Sequence, residues 1–367
     1  MVLRHLGVTV LKSTIPPLRV PERTLWLPTV VTTEALRSYG VRRVYETNLN
    51  ADGSAALRLR DRMVDLGPNE LACYRKLVEW LPTRFDGAHL ETDLEGTGMS
   101  GERLTRFARH LADAGLLYRI DQVPATVSGA EFYHEHFAPV LDAWLSEAFS
   151  HPFWERMVSG RGSARLFVGW LIELYHYTKN ANRHMPLSVA YAHEKPLKQL
   201  RAKHYAEEWN HYHYFLKSLR HLGYAEEAIA SSVPLPMTLA LSNFMRQAAR
   251  EDTLAYSICS AVLEGTTTNR GSFNPYHERV TELYGVPKEA VKPIYDHLDL
   301  DVQYQHSNLF LEILTHVDSI PAVRASRILD YGHQLVEHIW MWTEAIERYY
   351  EADNNPVPRR PFDPFLD

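Results

Sequence analysis

"EEWNHYHYF", residues 207–215, sets two glutamates, two histidines and four aromatic residues in nine positions. Acids and imidazoles are costly to bury, and large aromatics tend to be inside, so the stretch asks for a reason to be both. The segment around it, "KQLRAKHYAEEWNHYHYFLKSLRHLG", reads as one helix. On such a helix His204, Glu208 and His211 fall at i, i+4 and i+7 and share a face, with Glu208 and His211 forming an E-x-x-H pair. Helical carboxylate–imidazole pairs at this spacing hold iron or manganese inside helix bundles. One pair alone is also what a solvated polar face would show.

Two further segments carry the same vocabulary. In "YSICSAVLEGT", Glu264 ends an otherwise apolar helix, where an acid must face solvent, meet a charge or bind a metal. In "YDHLDLDVQYQH", His297 and Asp301 are i, i+4 on one face and Tyr304 continues it. His306 lies nine positions after His297, on the opposite side of a regular helix. A π-bulge would turn it back towards the first face. Acids and imidazoles from three helices, with no thiolate, suit a redox-active iron or manganese pair better than structural zinc.

Around these segments, nearly everything from Phe132 to Glu351 reads as helix, punctuated by Gly223, Gly265 and prolines 186, 196, 234 and 236. The expected organisation is a mainly α chain: a small α+β domain over 1–125, a helical domain over 132–351, and a Pro-rich tail, 352–367, acting as a strap or loosely ordered. Within 1–125, "TLWLPTVV", "AALRLRDRMVDL" and "LLYRID" read as strands. "GPNELACYRKLVEWL" reads as a helix with Leu71, Tyr74, Leu77 and Leu81 inward. A second helix, capped by Ser100, turns Leu104, Phe107 and Leu111 inward. Strands, helix, loop, helix, strand is the order of a winged helix.

The composition narrows the partners. A formal net charge of -6 gives no sign of nucleic acid or an anionic membrane surface. Residues 55–121 hold ten Lys/Arg against eleven Asp/Glu, which disfavours DNA binding, although Arg103, Arg106 and Arg109 form a local basic stripe. No apolar run reaches the roughly 20 residues a membrane span needs. The N-terminus has no signal-peptide pattern. Cys73 and Cys259 are the only cysteines, so a reducing, cytoplasmic setting is expected.

The order and spacing of these segments resemble the haem-oxygenase-like diiron oxidases and oxygenases, seven-helix bundles related to thiaminase-like and pyrroloquinoline-quinone-synthase-like proteins. "HPFWERMVSGRGSARLFVGW" (151–170) is similar to the start of that fold, "EEWNHYHYFLKSLRHLG" to its acid-and-His segment, and His297/Asp301 to its H-x-x-x-D step. The resemblance spans roughly 132–350. It implies Glu208, His211, Glu264, His297 and Asp301 as ligands of two irons per chain. The family places its sixth ligand, a His, three or four positions after the Asp; here those positions are Tyr304 and Gln305, so either His306 serves through a helix distortion or the second metal is bound weakly or not at all. Glu207 and Tyr304 are alternative ligands. So are Glu173 and His176, a second E-x-x-H whose other reading is a pocket wall. His333, Glu337 and His338 read as core or as a solvated group.

The resemblance further implies an O₂-dependent oxidation of an amino acid or of a residue carried on a precursor peptide, in natural-product biosynthesis, with an external electron donor where the reaction needs one. The N-terminal domain resembles the winged-helix precursor-peptide recognition domain of peptide-modifying (RiPP) enzymes; a structural or homodimerising role is its alternative. The alternatives for the helical domain are a metal-free binding scaffold and a thiaminase-like hydrolase, for which Cys259 is the one candidate nucleophile.

Overall fold

The structure, a computed structural model, describes residues 30, 36, 39–41, 46–59, 62–80, 92, 94–114, 116–119, 125–265, 278–304 and 306–362. Contacts divide the described residues into two compact units: those up to Val127 with His134–Ala143, and Ser128–Tyr133 with those from Trp144 onward.

The smaller unit runs β1 (Tyr39–Val41), β2 (Glu46–Leu49), β3 (Ala55–Leu59), β4 (Arg62–Leu66), α1 (Pro68–Trp80), α2 (Gly101–Asp113) and β5 (Leu117–Arg119). "AALRLRDRMVDL" is thus a hairpin, with Leu57 opposite Val64 in an antiparallel meander β2-β3-β4. β5 pairs antiparallel with β1. Leu71, Tyr74, Leu77, Leu104, Phe107 and Leu111 are buried in one core with Leu57 and Val64, as their helical and strand periodicity predicts. Arg103, Arg106 and Arg109 lie on the exposed face of α2. Ser100 stands at the N-cap of α2 with extended backbone, but its side chain makes no capping bond. "TLWLPTVV" and Leu81 fall outside the described residues.

In the larger unit the sequence forms α3 (Ala138–Ala148, of which Trp144 onward belongs here), α4 (Pro152–Ser159), α5 (Ala164–Tyr191), α6 (Lys195–Glu208), α7 (Tyr212–His221), α8 (Glu226–Ala230), α9 (Pro236–Glu251), α10 (Thr253–Gly265), α11 (Lys288–Tyr304), α12 (Leu309–Thr315) and α13 (Ala322–Tyr350). The long α5 is the hub, packing on α6, α7, α9 and α13, while α7 packs on α11 and α10 on α13. Gly169 lets α5 and α13 approach: a Cβ there would lie 2.2 Å from the Tyr350 ring. Directly beneath, Tyr350 donates to the buried Glu173 carboxylate at 2.8 Å.

Three expectations need correction. Pro186 does not end a helix; it sits inside α5, whose turn around it stays buried through His184, Met185 and Ser188. Tertiary packing there outweighs the backbone hydrogen bond that proline removes. Pro196 and Pro236 do open α6 and α9, where the missing N–H costs nothing. The stretch 195–221 is two helices, not one: Trp209, Asn210 and His211 form a turn. The segment "EAVKPIYDHLDLDVQYQHSNLFLEILTHV" is likewise interrupted between α11 and α12, by a 3₁₀ turn at His306–Asn308. The described part of the tail behaves as a strap: the Arg359 carbonyl accepts from Val233 at 3.0 Å, and the Arg359 guanidinium donates to the Pro234 carbonyl at 2.7 Å.

Candidate metal centre

The break at 209–211 aligns the opening motif. The His211 amide bonds back to the Glu208 carbonyl at 3.1 Å, a three-residue step. In such a 3₁₀-type turn residues i and i+3 eclipse, so His211 stands directly over Glu208. The imidazole Nδ1 is 2.8 Å from Glu208 Oε2 and 3.8 Å from Asp301 Oδ1. The turn also puts Trp209 outside, 51% exposed, so the aromatics of this stretch are not all buried.

α11 contributes His297 and Asp301, with His297 Nδ1 3.4 Å from Asp301 Oδ2. The 3₁₀ turn that follows, rather than a π-bulge, brings His306 to the same place. Its Nδ1 lies 3.0 Å from Glu208 Oε1 and 3.6 Å from Asp301 Oδ1. Its Nε2 lies 3.2 Å from Glu207 Oε2. From α10 comes Glu264, whose Oε1 is 3.0 Å from Nε2 of His204 on α6. The side chains converge in overlapping sets: His204, Glu264 and His306; Glu208, His211 and His297; and Glu208, Asp301 and His306. His204, His211, His297, Asp301 and His306 are buried; Glu208 and Glu264 retain a little accessible surface.

Elementary electrostatics asks what holds such a group together. Four carboxylates, Glu207, Glu208, Glu264 and Asp301, cluster around largely buried imidazoles; Lys203 lies 3.8 Å from Glu207 and the Arg201 guanidinium acts on Glu264, and the rest of the positive charge must come from protons or from a metal. Burial pulls the His306 imidazole down, but the Asp301 and Glu208 carboxylates outweigh it and push the ring up to about 11. His211 is likewise raised, against the pull of burial, by Glu208 and Asp301. Glu208 is held far below the usual carboxylate range by its contacts with His211 and His306, despite burial. Burial keeps His297 below its ordinary value.

The short approaches are not all hydrogen bonds. Neither ring nitrogen of His204, nor Nδ1 of His211, nor Nδ1 of His306, nor Oδ1 of Asp301 has an aligned hydrogen-bond partner. Distance alone would make bonds of the 2.8 and 3.0 Å contacts; the ring N–H directions deny it, and direction decides. Nitrogen and oxygen atoms that crowd together without pointing at each other are arranged as ligands around a shared cation. Glu207 fits the same picture: it meets His306 Nε2 at 3.2 Å, and with a cation in place of the ring's second proton it would accept from Nε2–H and leave the Nδ1 lone pair towards Glu208 and Asp301. The residues present therefore fit a metal centre, and an all-nitrogen-and-oxygen donor set suits iron.

The remaining sequence candidates lie elsewhere. Glu173 is buried and already satisfied: it accepts from the Leu235 amide at 3.0 Å, from the Thr238 hydroxyl and from Tyr350. His176 bonds Ser232 at 2.8 Å. The reading of Glu173 and His176 as alternative ligands is corrected accordingly: this E-x-x-H ties helices together. Tyr304 is 37% exposed and belongs to none of the convergent sets among the described residues. His333 meets Glu147 at 3.2 Å, and His338 stacks on Phe244. His204 is the ligand-type residue that sequence reasoning placed on the right face but did not count.

Residues 168–331, the segment that carries His204, Glu208, His211, Glu264, His297, Asp301 and His306, match the family model described as an iron-containing redox enzyme. This segment is similar to that family, over less than half of the chain. Its fold is haem-oxygenase-like. A solved domain of unknown function with a heme oxygenase-like fold from Shewanella denitrificans OS217 is 19% identical, over 61% of this chain and 95% of its own, with a TM-score of 0.50. A TenA homolog from Pseudomonas syringae pv. tomato DC3000 is 15% identical over 62% of this chain and 99% of its own, with a TM-score of 0.49. No curated protein matches the chain. No helix among the described residues is long and apolar enough to cross a membrane.

Proposed function

We propose that the chain is a cytoplasmic non-haem diiron enzyme that uses O₂ to oxidise an amino acid or a peptide-borne residue in natural-product biosynthesis. The observation that carries this reading is the buried convergence of His204, Glu208, His211, Glu264, His297, Asp301 and His306 from α6, α7's leading turn, α10, α11 and the turn after it, with aligned hydrogen bonds missing at five of its atoms. His204, Glu264 and His306 would hold one iron, and Glu208, His211 and His297 the other; Asp301, which converges with Glu208 and His306, would add to the donor set. When bound, the iron pair supplies O₂ binding and electron transfer. The protein's own residues do the rest. Glu207 orients His306, the eclipsed turn orients His211 over Glu208, and burial of the imidazoles keeps bulk water from the donor atoms. The test is oxygen uptake by the metal-free protein on addition of ferrous iron and a reductant: iron-dependent consumption, abolished in His211→Ala and His297→Ala, is expected, and iron-independent or absent consumption contradicts the reading.

A thiaminase-like hydrolase is disfavoured by Cys259. Its thiol is fully buried on α10, donates to the Tyr331 carbonyl at 3.4 Å, and is pushed well above its ordinary pKa by burial. A nucleophilic cysteine needs thiolate character and access.

For the smaller unit we propose precursor-peptide recognition. β2 and β4 are the edges of its meander, and an extended peptide can pair with such an edge. Its near-balanced charge gives little electrostatic drive towards DNA.

A further inference from the structure

One residue beside the metal centre is buried with its hydrogen-bonding groups unmet, although the Glu264 carboxylate offsets part of its charge. Arg201 lies on α6 at i, i+3 and i+7 with His204 and Glu208, so it continues the face that carries them. It is 1% exposed. Among the described residues its Nε, Nη1 and Nη2 all lack a hydrogen-bond partner, and the head group lies over the Tyr256 ring, whose centroid is 5.1 Å from its Cζ. An arginine stays charged under any condition in which the protein folds, and an unpaired buried charge is among the most destabilising features a fold can carry. Desolvation does pull this guanidinium below its ordinary value.

The surroundings are built for an apolar body with a polar head. On α10, Tyr256, Ser260 and Glu264 follow at i, i+4 and i+8, so the ring under Arg201 and the acid beside His204 share one face. On α5, Tyr177 and His184 share a face at i, i+7. His184 Nδ1 meets the Tyr256 hydroxyl at 2.9 Å. Burial drives His184 down to about 3, so the ring is neutral; in the tautomer where the Tyr256 hydroxyl donates to Nδ1, the proton sits on Nε2. That Nε2 is itself buried and unpartnered. Tyr177 keeps some accessible surface, yet its hydroxyl is strongly desolvated and feels Tyr256, Glu264 and Glu208.

We infer that Arg201, whose three side-chain nitrogens are buried and unpartnered among the described residues, is the anchor for a substrate carboxylate beside the metal centre, and that the substrate is a carboxylic acid with an aromatic or aliphatic body. A planar guanidinium with two parallel N–H donors matches a carboxylate bidentately, and no neutral isostere offers the same partner. Tyr177 and Tyr256 provide apolar walls. The inference rests on the proposed oxidase reading and narrows its substrates to those with a free carboxylate within reach of the metal centre.

The test uses the full-length, metal-free chain. 3-Phenylpropionate and octanoate are titrated calorimetrically beside their primary amides, into wild type and Arg201→Met, with iron content measured after ferrous loading. The acids are expected to bind wild type roughly 10- to 100-fold tighter than the amides, and Arg201→Met is expected to lose that difference while loading iron normally. Metal-free Arg201→Met is expected to melt at or above the wild-type temperature, because methionine keeps the packing and removes the unpaired charge. Equal binding of acid and amide to wild type overturns the inference, as does an Arg201→Met variant that unfolds or melts well below wild type, which assigns the arginine to structure. Acid binding that requires iron and survives in Arg201→Met places the carboxylate on the metal and overturns the inference while leaving the oxidase reading intact. Acid discrimination by Arg201 in a protein that loads no iron does the reverse.

Discussion

His204 Nε2 and Glu264 Oε1 stand 3.0 Å apart, yet neither nitrogen of the His204 ring has an aligned hydrogen bond. A buried imidazole is ordinarily satisfied, so this pair is where ligand geometry and ordinary packing differ most clearly. His204→Ala is expected to weaken iron binding at the set it shares with Glu264 and His306 by more than the roughly 10- to 100-fold that loss of an outer-sphere partner costs. Glu207→Gln should fall within that smaller range. Calorimetric iron titration of the two variants checks the order; equal affinities for His204→Ala and wild type would remove His204 from the centre.

Glu173 gives the opposite signature. Its carboxylate accepts bonds from Leu235, Thr238 and Tyr350 in the core between α5, α9 and α13. Truncation leaves those donors buried without a partner, at about 1–3 kcal/mol each. Glu173→Ala is therefore expected to lose about 3 kcal/mol or more of stability in denaturant unfolding, while any folded fraction binds iron normally.

The buried His176 imidazole sets a pH dependence. Burial lowers it from 6.5 to about 4, so the neutral ring is the one that fits beside Ser232. Its folded value lies below its unfolded value, so the unfolded chain takes up the proton first. The stability it contributes is present above pH 6.5 and is lost as pH falls from 6.5 towards 4, at up to about 1.4 kcal/mol per pH unit. In chemical denaturation between pH 7 and 4.5, His176→Gln should show a shallower decline than wild type; parallel curves would contradict the assignment.

For the smaller unit, the proposed peptide recognition predicts salt-insensitive binding of an extended precursor peptide to the full-length chain. Nonspecific duplex DNA should bind weakly and lose affinity steeply with salt, as phosphate contacts do. Tight DNA binding abolished by Arg103→Glu and Arg106→Glu would contradict it.

Local spacing made much of this site legible. Glu208 with His211, and His297 with Asp301, are pairs that a helix brings together without help, and the buried faces of α1 and α2 follow from periodicity alone. What spacing could not show is how interrupted helices re-aim side chains. On an unbroken helix His306 points away from His297; a 3₁₀ turn after Tyr304 corrects that, and such a turn depends on the packing of α12, not on a local motif. The turn at Trp209–His211 was hidden for the same reason. The i, i+3, i+7 pattern of Arg201, His204 and Glu208 stood in the sequence, but the partnership of His204 with Glu264 depends on α6 and α10 meeting, which no local pattern records. Glu173 and His176 show the converse: an identical E-x-x-H whose neighbours are hydroxyls and an amide, not other ligands.

The most direct measurement is the iron content of the full-length chain after anaerobic ferrous loading and desalting, read beside the Glu208→Ala variant. The account predicts about two irons per wild-type chain, as carboxylate-bridged helical bundles hold, and a marked loss from Glu208→Ala, because Glu208 belongs to two of the convergent ligand sets. A wild-type chain that retains no iron, or a Glu208→Ala variant that retains as much as wild type, would contradict it.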